Sequence, residues 1–292
     1  MNILTYDTEE WYLEKILHGG RKEKYAEFDY YLHQILDKLD EKGVKGTFFC
    51  LGLLVPKFDY VVKEIHARGH EVGCHSNNHT WLNRLTREEA LQDTKQAIDA
   101  IEQCIGVKVV SYRAPSFSIG AKNKWIFEIL ADCGIEIDAS VYPSARDFGG
   151  FANFGSHIPC IIEMDGIRIK EFPICTTKIL GKELAYSGGG YFRFFPLNFV
   201  KSRMQKSNYA MTYFHIGDLV PENVGFKSKL EYESYYRESG TLKNRTVRYI
   251  KTNLGKSGAF QKMLHLIDMM DFVNIRQVNS SYDWKNAPLI KL

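Results

Sequence analysis

Two histidines separated by three residues, His75 and His79, are the residues of this 292-residue chain whose type and spacing first point to chemistry. Histidines four positions apart on a helical turn face the same way, so their imidazoles can bind one cation. Ser76 stands where the HExxH motif has its glutamate, which disfavours a zincin-type protease. The pair alone is a weak signal, but it gains weight because it directly follows a predicted strand.

An acidic segment near the start of the chain offers carboxylates to the same cation. Asp7, Glu9 and Glu10 follow a predicted strand over residues 2–6. Alone they would be interpreted as a solvated acidic turn, but a histidine pair at another strand end favours a metal site. Two imidazoles and one carboxylate leave positions open for water and substrate, as catalytic zinc sites do. Such a cation would lower the pKa of its water and polarise a scissile carbonyl.

Two more residues at predicted strand ends would assist a hydrolytic site. Arg113, in Arg-Ala-Pro-Ser116, is either a surface arginine or a partner that lowers the pKa of a neighbouring carboxylate through an ion pair. His215 closes an apolar predicted strand, where a single histidine is more often structural. Opposite a metal centre it becomes a candidate general acid for a leaving amine.

Alternating strand-like and helix-like segments predict how these residues are brought together. Predicted strands cover residues 2–6, 44–51, 70–74, 107–112, 135–137 and 209–216, and predicted helices cover 29–42, 57–68, 86–105 and 123–133. This βα alternation is typical of a parallel sheet or barrel, whose functional residues collect at the C-terminal ends of strands. The residues expected at that rim are Asp7, His75, Arg113, Asp138 and His215.

The rest of the chain suggests additions to one domain over residues 1–292. The glycine-rich stretch around 145–195 is predicted to form a β-rich insertion, and the polar stretch 220–255 exposed helices or a long loop. An amphipathic helix is expected over 260–270, followed by a strand over 272–276.

Composition excludes several classes of protein. The formal net charge is only +3, with scattered basic residues, so no nucleic-acid partner is expected. No apolar stretch approaches the roughly 20 residues that span a bilayer, and the N-terminus lacks the pattern of a secretory signal. The six cysteines contain no CxxC pair, so reduced, buried thiols and a cytoplasmic location are the expectation.

Six ordered motifs give a resemblance to a known family. TYDxE, TFF, HSxxH, YRAPSFS, DASVYP and YFHxxDL follow one another from Thr5 to about Glu222. This series resembles the polysaccharide deacetylase family, or NodB-homology domain, and is most similar to its branch in bacterial exopolysaccharide and cell-surface loci. The resemblance implies a distorted (β/α)7 barrel that removes the N-acetyl group from an amino sugar or glycan. It also implies one divalent cation, which in this family is commonly zinc.

The same resemblance implies a role for each matching residue. It implies a catalytic base at Asp7, metal ligands at His75 and His79, a base-tethering arginine at Arg113, an oxyanion donor at the Ser116 N–H and a catalytic acid at His215. The family commonly has a second aspartate directly after the base, where this chain has Thr8. Glu9 is therefore predicted as the third metal ligand. The alternative is that Asp7 binds the metal and Glu9 acts as base or supporting partner.

Substrate contacts are predicted around Gly188–Gly190, where Tyr191 offers an apolar face to a sugar ring and Arg193 a charge to an anionic group. Core packing is an equally good interpretation of the aromatic residues there. The roles of Asp138 and Asp218, the sugar and the oligomeric state stay open. Three alternative functions also remain: a cytoplasmic hydrolase of a small cyclic or linear amide, a catalytically inactive glycan-binding barrel, and an iron oxygenase with two histidines and one carboxylate.

Overall fold

The computed structural model describes residues 1–146, 149–222, 224–236 and 238–292. Its strands are β1 (Asn2–Ile3), β2 (Thr5–Thr8), β3 (Thr47–Cys50), β4 (Glu71–Cys74), β5 (Ser111–Tyr112), β6 (Ile137–Asp138), β7 (Cys160–Met164), β8 (Ile167–Glu171), β9 (Thr176–Ile179), β10 (Lys182–Ala185), β11 (Ala210–Met211), β12 (Phe214–His215) and β13 (Leu289–Lys291). Its helices are α1 (Glu10–His18), α2 (Lys22–Lys42), α3 (Val55–Ala67), α4 (Arg87–Ile105), α5 (Ile126–Asp132), α6 (Gly189–Phe194), α7 (Leu197–Lys206), α8 (Ile216–Leu219), α9 (Lys229–Tyr236), α10 (Leu242–Asn253), α11 (Ala259–Met269) and α12 (Ile275–Ser281).

The sheet forms a barrel of seven strands. The main sheet has the order β12-β2-β3-β4-β5-β6-β8-β7-β13, and its neighbours from β12 to β8 are parallel. β1 and β11 also pair in parallel and lie just before β2 and β12 along the chain, so each of these two barrel strands is one strand with a short break. The strand count and the βα order confirm the predicted distorted (β/α)7 barrel.

The barrel is open on one side, between β8 and the strand formed by β11 and β12. In the part of the chain that the structure describes, no ladder joins these two strands. Side-chain hydrogen bonds link the segment that follows β8 to β11 and to the residue before it. Tyr209 Oη donates to the Pro173 carbonyl oxygen at 2.7 Å, and Cys175 Sγ donates to that of Met211 at 3.3 Å.

Burial on both faces explains the run of apolar residues in the strands. All four residues of β2, β3 and β4 are buried, as expected for parallel strands covered by helices outside and by side chains within. Neighbouring Phe48 and Phe49 belong to two different apolar clusters. The first packs against the helices, and the second gathers residues from several strands. No described helix has the length and apolar character needed to cross a bilayer.

The β-rich insertion predicted around 145–195 is partly wrong. This stretch does contain two hairpins, β7–β8 and β9–β10. However, β8 pairs in parallel with β6, so it is the sixth barrel strand and not an insertion. The sequence showed a strand there, but a strand pattern does not identify the partner strand.

The C-terminal part departs from the predictions in one element and agrees in another. The predicted strand over 272–276 is wrong, because only Val273 forms a bridge, to Ile3. Asn274 then starts α12 through a capping box with Gln277, which satisfies the first backbone N–H groups of the helix. The exposed helices predicted within 220–255 are confirmed as α9 and α10.

A buried histidine directly before β4, His70, is expected to make the stability of the fold sensitive to acid. His70 is 3% exposed, its Nδ1 accepts a hydrogen bond from the Gly46 N–H at 3.1 Å, and its ring lies 5.2 Å from that of Phe48. Burial, together with the charge of Lys45, lowers the pKa of His70 to about 4. The neutral ring is therefore the form that the folded chain accommodates.

We expect the His70→Asn variant to remove part of the loss of stability in acid. The pKa of His70 in the folded chain lies below its value near 6.5 in the unfolded chain. The contribution of His70 to the free energy of unfolding is therefore complete above about pH 6.5 and is lost as the pH falls towards 4. Its full size is about 3 kcal/mol. Urea unfolding between pH 7 and 4 measures this, and the asparagine keeps an acceptor for Gly46. Identical pH slopes in the two proteins would contradict the prediction.

Candidate functional site

The ends of β2 and β12 place the first and last predicted catalytic residues side by side. Asp7 in β2 is the register partner of His215 in β12. The strand ends at Thr8, and Glu9 is the residue that precedes the first turn of α1. Glu10 turns away from the cleft and accepts a hydrogen bond from the Gly217 N–H at 2.8 Å.

His75 and His79 lie in a loop after β4, so the predicted helical turn is wrong. The left-handed backbone of Ser76 (φ 70°) and His79 (φ 62°) bends this loop sharply. Two hydrogen bonds hold it: Asn77 N–H donates to Asp93 Oδ2 at 2.9 Å, and His79 N–H to Ser76 Oγ at 3.1 Å. The bend still brings both rings to one side, with centroids 5.4 Å apart.

A hydrogen bond determines which nitrogen of His75 faces the site. His75 Nδ1 lies 2.7 Å from the carbonyl oxygen of Arg113, which can only accept, so Nδ1 carries the proton. Nε2 is then left with a lone pair and points towards Glu9, at 3.3 Å from Oε2. This arrangement, with a carbonyl fixing the far nitrogen, is the usual support of a metal-ligating histidine.

Glu9, His75 and His79 fit a divalent cation. One ligand atom from each lies within 4.8 Å of the others, and Glu9 Oε2 is 2.7 Å from His79 Nε2. Glu9 Oε2 and His75 Nε2 are buried atoms without a hydrogen-bond partner among the described residues. Burial would raise the pKa of Glu9, but the charges of His79 and His215 hold it well below its ordinary value. Two imidazole nitrogens and one carboxylate form the donor set of a catalytic zinc site.

Asp7 is held by a fully buried arginine. Arg113 Nη1 donates to Asp7 Oδ1 at 2.8 Å and to Thr5 Oγ1 at 2.7 Å, and its guanidinium lies 4.3 Å from the centre of the Phe49 ring. Burial would raise the pKa of Asp7, but Arg113, followed by the nearby histidines, lowers it below the ordinary value. The carboxylate is therefore ionised, and only its Oδ2 is left for chemistry.

His215 lies between carboxylates on both sides. Its Nε2 is 3.5 Å from Asp7 Oδ2, and its Nδ1 is 3.4 Å from Asp218 Oδ2. Burial would lower the pKa of His215, but Glu9, Asp218 and Asp7 together raise it to about 10. Asp218, whose role the sequence left open, thus orients the ring. The short spacing from histidine to aspartate was the signal that could have assigned it.

The Ser116 loop has a strained backbone at the cleft. Ser116 (φ 54°) and Phe117 (φ 53°) are consecutive non-glycine residues in the left-handed region, which is rare and costs energy. Two turn hydrogen bonds hold them, from Phe117 N–H to the Ala114 oxygen and from Ser118 N–H to the Pro115 oxygen, each at 3.1 Å. Ser116 lines the cleft, which is where its predicted role requires it.

One cleft of about 660 Å³, within the usual range for a ligand site, is lined by Asp7, Glu9, His79, Ser116, His215 and Asp218. The cleft is also lined by Tyr191 and Arg193, the two residues predicted to contact the substrate. The guanidinium of Arg193 is nevertheless occupied by the protein. Its nitrogens donate to the carbonyl oxygens of Thr252 at 2.6 Å and Lys251 at 3.1 Å, and Nη1 is 3.4 Å from Asp218 Oδ1. A role of Arg193 in substrate binding stays a prediction.

Asp138 lies outside the cleft and supports it from behind. It is fully buried, is the register partner of Glu171 and accepts a hydrogen bond from Ser140 Oγ at 2.5 Å. Ser140 Oγ in turn accepts from the Ala114 N–H at 2.7 Å, directly after Arg113. Burial raises the pKa of both carboxyls of this pair. The pair is therefore a structural support of the Arg113 loop.

Two family models match the chain in sequence. The polysaccharide deacetylase model matches residues 21–137, and a domain of unknown function, DUF3473, matches residues 139–280. The histidine pair lies in the first range and His215 in the second, whereas Asp7 and Glu9 precede both. The two matches together therefore contribute to one cleft.

Curated relatives match part of the chain. Over 96 residues it is 43% identical to a peptidoglycan-N-acetylglucosamine deacetylase of Bacillus cereus, covering 32% of this chain and 35% of the relative. Over 83 residues it is 36% identical to PdaC, a peptidoglycan-N-acetylmuramic acid deacetylase of Bacillus subtilis, covering 28% of this chain and 18% of the relative. The chain thus spans about a third of the first relative and less of the second.

One solved structure matches over the whole chain. A Mycobacterium smegmatis protein assigned as a polysaccharide deacetylase superposes with a TM-score of 0.63, covering 100% of this chain and 92% of its own. Sequence identity is 17%, so this likeness concerns the fold alone. It agrees with the barrel described above.

Proposed function

Because this chain belongs to the polysaccharide deacetylase family through residues 21–137, we propose that it is a metal-dependent N-deacetylase acting on an acetamido sugar of a glycan. One observation carries the proposal. Glu9, His75 and His79 converge at the base of a cleft directly beside the tethered carboxylate Asp7. An amide hydrolase needs this combination of an electrophile site and a base.

Glu9, His75 and His79 would hold the divalent cation, for which zinc is our proposal. When bound, such a cation polarises the acetamide carbonyl and makes a neighbouring water more acidic. Asp7 Oδ2 accepts the proton of the attacking water, since Arg113 binds Oδ1 at 2.8 Å and fixes the orientation of the carboxylate. The Ser116 N–H stabilises the negative charge that develops on the carbonyl oxygen.

His215 supplies the proton that the leaving amine needs. Its raised pKa, near 10, keeps the ring protonated at neutral pH, and Asp218 holds Nδ1 so that Nε2 faces the reacting atoms. An amine leaves readily only once its nitrogen is protonated, so cleavage of the carbon–nitrogen bond needs this proton. The products are acetate and a free amino sugar.

Acetate release from N-acetylated sugars, with and without a chelator, tests the proposal. We expect release from at least one oligosaccharide of N-acetylglucosamine, loss of that release with chelator, and recovery on adding back zinc. A control protein carrying Lys206→Gln, a change at an exposed lysine that does not line the cleft, should match the parent. Acetate release that persists in the presence of chelator would refute the metal dependence. A lack of acetate release from every acetylated sugar would refute the proposed substrate class.

The three alternatives meet specific difficulties. A cleft of about 660 Å³ is larger than a small amide requires. An inactive glycan-binding barrel has no need of the tethered Asp7 or of the His215–Asp218 pair. An iron oxygenase shares the two histidines and one carboxylate, but a positioned base and acid are features of hydrolysis.

A further inference from the structure

We propose that the outer part of the cleft binds an anionic group of the substrate, a carboxylate or a phosphate, chiefly through Arg146 with help from Lys251 and Arg248. The inference rests on the proposed function and narrows its substrate class to acetamido sugars that carry a negative charge close to the acetamide. None of these three residues belongs to the catalytic set described above.

The charges lining the cleft separate into a balanced centre and a positive periphery. At the centre, Asp7 is paired with Arg113, Asp218 with Arg193, and Glu9 belongs to the metal site. The remaining charged side chains that line the cleft are Arg146, Arg248, Lys251 and Glu183. Arg248 is paired with Glu238, which lies outside the lining, so Arg146 and Lys251 against Glu183 leave an excess of one positive charge at the periphery. A cleft with an excess of one sign of charge concentrates ligands of the other sign.

Arg146 is positioned to bind this ligand. Its guanidinium lies 4.7 Å from the centre of the Tyr142 ring and 5.5 Å from that of Phe117. Both rings are almost fully buried, at 2% and 5% exposure, so they form a rigid surface beneath the arginine. Within residues 1–146, 149–222, 224–236 and 238–292, no carboxylate lies within ion-pair distance of Arg146. A planar guanidinium held in this way can bind a carboxylate or phosphate through two parallel hydrogen bonds.

Its location places the anion close to the reacting amide. Arg146 Nη1 is 3.5 Å from the carbonyl oxygen of Ser116, whose N–H is the proposed oxyanion donor. An anionic group bound there would belong to the acetamido sugar itself or to the unit joined to it. A ligand that occupies the proposed catalytic centre and the anion site at Arg146 at the same time is therefore a negatively charged acetamido saccharide.

Helix α10 adds positive charge at the rim of the cleft. Arg248 and Lys251 are three residues apart, so they lie on the same side of this helix. Its sequence, LKNRTVRYIKTN, contains four basic residues and no acidic one. Arg248 Nη2 is 3.5 Å from Glu238 Oε1, whereas Lys251 is exposed and is the more available of the two.

Arg193, which the sequence suggested for this task, is poorly placed for it. Its side chain is only 4% exposed, and Asp218 and two carbonyl oxygens occupy its two Nη nitrogens. Arg193 instead fixes Asp218, and through it His215. The recognition of an anion therefore falls to Arg146.

Binding measured by calorimetry tests the inference independently of turnover. The protein is metal-loaded and carries Asp7→Asn to stop hydrolysis. The probes are tri-N-acetylchitotriose, the same trisaccharide oxidised to carboxylates at its primary hydroxyls, and uridine diphosphate N-acetylglucosamine. We expect at least one anionic probe to bind roughly 10-fold more tightly than the neutral one, the usual size of one charge-assisted contact. The carboxylated probe and the diphosphate probe distinguish the two sources of charge.

Variants at Arg146 locate the effect. Arg146→Gln should remove most of the preference for the anionic probe, Arg146→Lys should restore part of it, and Lys206→Gln should match the parent. Thermal unfolding checks that the variants fold. If Arg146→Gln does not fold, the salt dependence of binding to the parent protein still tests the inference. Raising NaCl from about 50 to 500 mM should weaken the binding of the anionic probes only.

Equal affinity for all three probes, or an Arg146→Gln effect that is the same on all three, would overturn the inference. The proposed function fails by a different result, the lack of acetate release from any acetylated sugar. An anion preference without acetate release would support the cleft assignment while rejecting deacetylation. The two ideas are therefore tested separately.

Discussion

Replacing His75 and His79 together by alanine is expected to abolish metal binding and acetate release while the barrel stays folded. The two rings supply two of the three proposed ligands, and one carboxylate alone is a weak site for zinc. The histidines lie in a loop after β4, so no strand pairing is lost. Metal content by mass spectrometry, acetate release and far-UV circular dichroism measure the three parts of this prediction.

Single changes at Glu9 and Asp7 serve as matched controls for the double variant. Glu9→Ala should weaken metal binding, whereas Asp7→Asn should retain the metal and stop turnover, because only Glu9 is within 2.7 Å of a histidine ligand atom. Full activity of the double histidine variant would end the metal-enzyme proposal. A metal-bound crystal structure with the Glu9 carboxylate beyond about 3 Å of the ion would refute Glu9 as a ligand.

His215→Gln is expected to lower kcat by about 10²–10⁴-fold with the metal retained, the usual effect of losing a general acid. Glutamine can donate a hydrogen bond where His215 Nε2 does, but it cannot transfer a proton to the amine. Steady-state kinetics and metal content check this together. His33→Gln is a suitable control, since His33 is a half-exposed histidine paired with Glu64 on the surface. Loss of metal from His215→Gln would make this residue a ligand and the assignment wrong.

The leaving group offers a sharper test of the same role. Acetanilides with electron-withdrawing substituents release amines that need little protonation. The loss of kcat in His215→Gln should therefore be smaller on such substrates. The loss of kcat in Asp7→Asn should not change, because Asp7 is proposed to act on the attacking water and not on the leaving amine. An equal deficit of both variants on every substrate would show that His215 is a positioning group only.

The shared position of the proposed catalytic residues at one edge of the sheet could be predicted because it depends on local patterns. Apolar runs bounded by glycine mark parallel strands, and such strands deliver their C-terminal residues to one edge. Asp7, His75, Arg113 and His215 were each found in this way, and the structure brings them together. The family resemblance added the roles, which strand patterns do not contain.

Other parts of the site could not be predicted because they depend on distant contacts. The partner of β8 is set by tertiary packing, so the barrel strand within 145–195 looked like an insertion. The histidine loop owes its shape to left-handed residues and to Asp93, about 16 residues away. The environment of Arg193 depends on carbonyl oxygens 58 and 59 positions further along the chain.

The register of β2 against β12 has a consequence for the order in which the reaction centre is completed during synthesis. The three proposed metal ligands are all present once residue 79 has been made, whereas the proposed acid arrives only with residue 215 and pairs with the first barrel strand. A nascent chain thus contains the complete ligand set long before it can cleave an amide. On the proposed mechanism, hydrolysis requires the last strand of the barrel, β12, to pair with β2.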